Sequence, residues 1–241
     1  MPPPSVEGMD IALITGASRG LGLALAQALA DRGYGLAIDA RGTDDLERAR
    51  AALARTTAVT AVPGDVADPA HREQLVAAAM RMGRMRLLVN NASVLGPSPQ
   101  PDLDAYPLDV LEAVYRINVI APLGLIQLAL PALSAGGGTV LNITSDAGIE
   151  NYPGWGGYGS SKAALEQLSN VLAAEHPGLR VLWADPGDMR TRMHQEAFPG
   201  EDISDRPLPE TSVPGLLRLL ESDLPSGRYR ARELGRSEAA A

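Results

Sequence analysis

The sequence predicts an α/β protein, a single domain built on a doubly wound parallel sheet of about seven strands with helices on both faces. Three observations carry this. Strand-like and helix-like stretches alternate from residue 10 to residue 184. The strand-like stretches are short, apolar and continuous rather than alternating, which suits parallel strands buried on both faces. A glycine-rich run, Thr15-Gly16-Ala17-Ser18-Arg19-Gly20-Leu21-Gly22, follows the first strand and opens the first helix.

In order, residues 10–15 read as a strand on the run Ile11-Ala12-Leu13-Ile14, and 21–31 as a helix. Strand 36–39 is followed by helix 44–54, strand 57–62 by helix 69–82, and strand 86–90 by one long helix over 108–133. Strand 139–143, helix 157–174 and strand 180–184 complete the alternation. Residues 193–214 break it, with Phe198-Pro199-Gly200, five acids and Arg206-Pro207-Leu208-Pro209. A loop of this length in a compact domain is usually functional or mobile; a plain surface excursion is the bland alternative. The tails, 1–8 and 237–241, read as disordered. No repeat or long linker divides the chain.

Composition excludes several functions. With 241 residues the chain can bury a full core. A net charge of -8 and scattered arginines argue against nucleic acid, which needs a basic patch. The absence of cysteine excludes a disulfide framework and thiolate chemistry. His71, His176 and His194 are too far apart to read as a metal site, so no metal is expected. No apolar stretch is read as reaching the ~20 residues of a membrane helix, and Met1-Pro2-Pro3-Pro4-Ser5 does not read as a signal peptide. The expectation is a cytoplasmic enzyme.

One position stands out. Of the 21 lysines and arginines, Lys162 is the sole lysine. It follows Tyr158 by four residues, so on a helix the phenol and the ammonium share a face. Arginine offers a broad fork that never deprotonates, whereas lysine is a compact charge. Ser145 precedes Tyr158 by 13 positions, at the end of the strand-like run Thr139-Val-Leu-Asn-Ile-Thr144. Together with the Gly-x-x-x-Gly-x-Gly run, this ordered Ser, Tyr and Lys set resembles the short-chain dehydrogenase/reductase family, in its compact single-domain ketoreductase-like branch. The resemblance covers residues 10–191 and implies a Rossmann-like fold; in the family the region matching 193–214 is a short helical lid over the substrate, which is the expectation here.

The glycines at 16, 20 and 22 would let backbone N–H groups approach a pyrophosphate at the helix N-terminus. The resemblance extends this cofactor site to Ser18, Arg19 and Leu21, to Asp65-Val66 beside the adenine, and to Asn91-Ala92 at the sheet edge. It adds the loop Gly187, Met189 and Thr191, together with Tyr158 and Lys162. Ser93 stands where the family has glycine. At the end of the second strand, Ala40 occupies the position of the acid in NAD enzymes. Asp39 comes one residue early and points to the opposite face, while Arg41 and Arg19 match the basic positions of NADP users. Two guanidiniums suit a dianionic phosphate. NADP(H) is therefore expected, with NAD(H) as the alternative.

For the chemistry, the resemblance makes Tyr158 the general acid and base of an interconversion between a carbonyl and an alcohol. Lys162 is expected to lower the phenol's pKa, Ser145 to bond the substrate oxygen, and Asn118 to anchor a water that leads protons to the lysine. Asp146 is expected to face away. Tyr152 and Trp155 are candidates for an apolar substrate wall, and His194 for a substrate contact beside the plainer reading of a solvated loop histidine. A nucleotide-sensing protein of the same fold without turnover, an NAD-dependent alcohol dehydrogenase, and an epimerase or dehydratase are the rival readings. The small-molecule substrate and the direction of reaction are not legible. Apolar residues on helices 108–133 and 157–174 hint at a subunit interface, and the resemblance implies a homodimer through these two helices; the family's homotetramer is less favoured, because Arg228, Arg230 and Arg232 would repel symmetry mates unless acids faced them.

Overall fold

In the computed structural model, which describes residues 8–236, one sheet organises the chain. Among the described residues it has seven strands: β1 (Asp10–Ile14), β2 (Gly35–Ala40), β3 (Val59–Pro63), β4 (Arg84–Asn90), β5 (Thr139–Ile143), β6 (Arg180–Asp185) and β7 (Gly227–Arg230). Their order is β3-β2-β1-β4-β5-β6-β7 and every neighbouring pair is parallel. The order reverses between β1 and β4, and ligands of such sheets bind in the crevice at the C-terminal ends of the strands beside that reversal. The expected tails at 1–7 and 237–241 lie outside the described residues; Gly8 forms an exposed turn.

The apolar strand runs bury both faces. Helices α1 (Gly20–Ala30), α2 (Thr43–Leu53) and α8 (Val213–Glu221) seal one face through Leu25, Leu29, Leu46, Leu53 and Leu216. On the other, α3 (Pro69–Met82), α5 (Ala121–Gly136) and α6 (Gly156–Glu175) contribute Leu75, Leu125, Leu133 and Leu172. Local signals start the helices: Asp68 caps α3 by accepting from Ala70 N at 2.9 Å, with Pro69 at the first helical position. Asp44 and Asp45 in the first turn of α2 suit its dipole.

Two expectations change here. The long helix is three segments, α4 (Leu108–Tyr115), a π-helical turn Arg116–Ile120, and α5. No glycine or proline lies in that turn. Asn118, at the centre of that turn, makes its side-chain bonds outside its own helix, and π-helical turns of this kind often occur at functional sites. The whole stretch Leu108–Gly136 is also 29 residues long and apolar enough, by length and composition, to cross a membrane, contrary to the sequence reading. Its buried side serves the core against β4 and α3, and Leu108, Ile120 and Leu128 remain exposed.

Residues 193–214 carry more structure than a bare loop. Helix α7 (Arg192–Ala197) begins the segment, capped by Thr191, and a 3₁₀ turn Pro209–Thr211 leads into α8. A short helix α9 (Ala231–Arg236) follows β7.

Candidate active site

At the crevice beside the reversal, the glycine loop joins β1 to α1. Gly16 and Gly20 have φ of +67° and +57°, the left-handed region that side chains rarely adopt. A Cβ on Gly22 would lie 2.5 Å from the Gly16 carbonyl. Thr15, directly after β1, and Asn91, directly after β4, fix this shape: Asn91 Nδ2 donates to Thr15 O at 2.8 Å, and Thr15 Oγ1 accepts from the N–H groups of Asn91 and Ala92, both at 3.0 Å. The N-terminus of α1 has no side-chain cap, so its first-turn N–H groups face the crevice as donors for an anion. A bare backbone cradle at an uncapped helix start fits a dinucleotide pyrophosphate.

Asp39 lies on the buried side of β2, as strand alternation requires. Its Oδ1 accepts from Gly16 N at 2.8 Å and its Oδ2 pairs with His71 Nε2 at 2.9 Å. Burial raises its pKa, against the bonds from His71 and Gly16. Asp39 therefore braces the glycine loop from below, and with His71 it is a structural pair that spacing did not reveal. Arg41 and Arg19 are exposed, Arg19 only loosely paired with Asp45 at 3.9 Å. Asp65 accepts from Ala67 N at 2.8 Å, and the carbonyl of buried Val66 accepts from Arg72 at 2.6 Å. Across the crevice, Gly187 takes φ +74° and donates to Asp185 at 2.8 Å. Thr191 comes within 3.7 Å of the site of a Gly20 Cβ, and Met189 packs on the core cluster that holds α1. Ser18 lies in the glycine loop, and Leu21, in the first turn of α1, is buried in the core.

The chain segment leaving β5 meets the face of α6. Lys162 Nζ donates to Ile143 O at 2.9 Å and lies 5.4 Å from the centre of the Tyr158 ring. Both side chains are buried. Close approach of α6 is allowed by Gly159, where a Cβ would be 2.5 Å from Ala147 O. Burial pushes the Tyr158 phenol up; the Ser93 and Ser145 hydroxyls favour its ionised form, while Asp185 and Asp146 oppose it. This corrects the expectation of a phenol pulled down by the lysine. Desolvation is the largest cause, and burial itself pulls Lys162 down to about 8, with Glu166 opposing.

Ser145 corrects a second expectation. Asp146 does not face away. Ser145 Oγ donates to Asp146 Oδ1 at 2.9 Å and accepts from Ala147 N at 3.1 Å. The other oxygen of Asp146 accepts from the Tyr152 hydroxyl at 3.1 Å. The turn Asp146–Gly148 folds the carboxylate back onto the serine, a direction set by backbone geometry rather than by spacing.

Asn118 uses its whole side chain to fasten the π-helical turn. Oδ1 accepts from Val94 N at 2.9 Å and Ser93 Oγ at 3.1 Å; Nδ2 donates to Val94 O at 2.9 Å and Ser161 Oγ at 3.0 Å. Ser161 in turn donates to Tyr158 O at 2.6 Å. With its carboxamide so occupied, any water that Asn118 held would need its backbone carbonyl. Ser93, in the family's glycine position, thus joins Asn118 to the neighbourhood of the phenol.

Above Tyr158 stands an aromatic wall. Trp155 meets Tyr158 and Tyr152 edge-on, with centroids 5.9 and 6.4 Å apart, and reaches Phe198 at 5.9 Å. Leu95, Ala147, Met193 and Ala197 pack with them. His194 is not a solvated loop residue: it sits on α7, 10% exposed, 4.9 Å from the Phe198 ring and 3.9 Å from Asp188.

Comparison with known proteins agrees with this geometry. The family model described as short chain dehydrogenase matches residues 10–202. Bovine (Bos taurus) sepiapterin reductase is 33% identical over 205 residues, 79% of this chain and 76% of that protein. A rhamnolipids biosynthesis 3-oxoacyl-[acyl-carrier-protein] reductase of Pseudomonas aeruginosa is 36% identical over 192 residues, 76% and 74% of the two chains. Among solved structures, an alcohol dehydrogenase of the archaeon Thermococcus sibiricus, complexed with 5-hydroxy-NADP, superposes with a TM-score of 0.83 at 29% identity, over 92% of this chain and 95% of that one. A match of this extent, on a sheet whose strand ends gather the serine, the tyrosine and the lysine, makes the chain an oxidoreductase of the short-chain dehydrogenase/reductase family.

Proposed function

We propose that this oxidoreductase interconverts a small-molecule carbonyl and its alcohol with NADP(H), Tyr158 exchanging the proton. The observation that carries the reading is the burial of Tyr158, beside Ser145 and Lys162, at the strand ends that also hold the bare glycine cradle. The relatives are reductases and dehydrogenases, and one similar structure holds an NADP derivative. Arg41 and Arg19 would hold the 2′-phosphate, the N–H groups of the glycine loop the pyrophosphate, and Lys162 the nicotinamide ribose.

When bound, the reduced nicotinamide supplies a hydride to the carbonyl carbon. The residues supply the rest. A raised phenol pKa keeps Tyr158 protonated at neutral pH, ready to give its proton from Oη to the developing alkoxide. Ser145 turns its hydroxyl hydrogen from Asp146 to the substrate oxygen and stabilises the growing negative charge. The Lys162 ammonium, close under the ring, favours the phenolate left behind. Trp155, Leu95 and Met193 keep water from the phenol, and α7, with Phe198 on Trp155, acts as the lid.

Exposed apolar side chains on α4–α5 and α6, including Leu108, Leu128 and Val171, support a dimer through these helices. Incubation with NADPH and a panel of ketones and aldehydes, followed by the absorbance of the reduced nicotinamide, tests the catalytic reading. Turnover of at least one carbonyl supports it; NADPH bound without turnover of any would favour a nucleotide sensor.

A further inference from the structure

The arginine at position 228, on edge strand β7, points inward rather than to solvent. Its Nε lies 3.0 and 3.1 Å from the two oxygens of Glu166, and its Nη2 3.2 Å from the carbonyl oxygen of Ser145. Asp185 stands 4.0 Å from the same nitrogen. Glu166 follows Lys162 by one helical turn on α6. It is buried and accepts the Thr144 hydroxyl at 2.6 Å.

Three consecutive residues after the core of β5 are therefore each gripped by a different side chain. Lys162 holds the carbonyl of Ile143, Glu166 holds the hydroxyl of Thr144, and Arg228 holds the carbonyl of Ser145. The Ser145 carbonyl has one further donor, Gly148 N at 3.1 Å. That backbone bond alone leaves the peptide free to rock. A guanidinium fork that bonds a carboxylate on α6 and a carbonyl in the serine segment at once ties the two elements that must face each other.

We propose that Arg228 is a positioning residue for the reaction: anchored by Glu166, it fixes the peptide plane after Ser145 and so aims the serine hydroxyl at the Tyr158 phenol. The proposal rests on the catalytic assignment of Ser145 and Tyr158. It gives the intramolecular acids Glu166 and Asp185 to an arginine that the sequence assigned to repulsion between subunits. Misplacing a reacting group by about 1 Å can cost on the order of a hundredfold in rate. Because Gly148 N retains its bond, the expected loss is about tenfold.

The test compares wild type with Arg228→Met, Arg228→Lys and the double variant Arg228→Met/Glu166→Gln. Four quantities are measured: kcat and KM on a carbonyl that the wild type reduces, NADPH affinity by fluorescence, melting midpoint, and the resonance of the Tyr158 ring carbon bearing the hydroxyl, assigned by its loss in Tyr158→Phe. Arg228→Met is expected to lower kcat about tenfold with NADPH affinity unchanged, and to melt lower because Glu166 is left unpaired. Lysine can pair with Glu166 but cannot span to the carbonyl, so Arg228→Lys is expected to regain the melting midpoint and not kcat. The double variant is likewise expected to regain the midpoint and not kcat. In all three the tyrosine resonance is expected to move in the direction seen in Ser145→Ala. Recovery of kcat together with stability in the double variant would show that Arg228 merely neutralises Glu166. An unmoved tyrosine resonance would overturn the proposal even if no carbonyl is turned over, an outcome that by itself counts against the catalytic reading alone.

Discussion

Replacing Lys162 by methionine removes a buried ammonium while keeping an unbranched side chain of similar length. Burial pulls the lysine down from 10.5 to about 8. That drop corresponds to about 3 kcal/mol working against the folded state while the amine is protonated. The sign follows from proton counts. Between the folded value near 8 and the unfolded value of 10.5, the unfolded chain binds more protons, so the stability of the wild type rises with pH across that window. Below the folded value the full penalty applies. The methionine variant is free of it but leaves Ile143 O without the 2.9 Å bond, a loss of about 1–2 kcal/mol. At pH 7 the Lys162→Met protein should thus be more stable than wild type by about 1–2 kcal/mol, equivalent to a rise of roughly 2–8 °C in Tm. At pH 10 the wild type recovers roughly 2–3 kcal/mol, and the advantage disappears or reverses. Urea unfolding of the two cofactor-free proteins at both pH values measures the difference, in which the contributions of other titrating groups cancel. A variant that is less stable at pH 7 by the same margin as at pH 10 would refute the reasoning.

Arg41→Ala should weaken NADPH binding by roughly 10- to 150-fold while leaving NADH nearly unchanged, since it removes one charge-assisted phosphate contact; equal weakening in titrations of both cofactors would remove Arg41 from the 2′-phosphate site. Gly22→Ala forces a Cβ to within 2.5 Å of Gly16 O and 2.6 Å of Asn91 Nδ2. It should cost about 1–3 kcal/mol of stability and impair binding of both cofactors, which calorimetry reads directly. Light scattering at micromolar concentration should report a dimer, and a monomer would contradict the reading of the exposed faces of α4–α5 and α6.

The sheet was legible because its central strands are buried on both faces, which leaves short continuous apolar runs such as Ile11–Ile14 at regular intervals between the helices. The proposed site residues stand out in the sequence because their spacing is local: Tyr158 and Lys162 lie one turn apart on α6, and the glycines share one turn. What stayed hidden depends on burial or on contacts distant in sequence. The π-helical turn carries Asn118, whose side chain bonds Val94, 24 positions away. The raised phenol of Tyr158 reflects desolvation, which spacing does not encode. Asp146 turns back on Ser145 through a tight turn. Arg228 lies in a short, polar edge strand, Gly-Arg-Tyr-Arg, whose charges read as solvent-facing, while its partner Glu166 is 62 positions earlier. The Asp39–His71 pair spans 32 positions and left no local pattern.

The central claim is that Tyr158 carries the proton in an NADP(H)-dependent carbonyl reduction. Its most direct test is Tyr158→Phe, with NADPH oxidation and NADPH binding measured side by side against wild type on the same carbonyl. The variant keeps the ring that packs on Trp155, at 5.9 Å, and loses only the hydroxyl. Turnover should fall at least about a hundredfold while NADPH affinity stays near that of the wild type. Turnover near the wild-type rate in a variant that still binds NADPH would contradict the account.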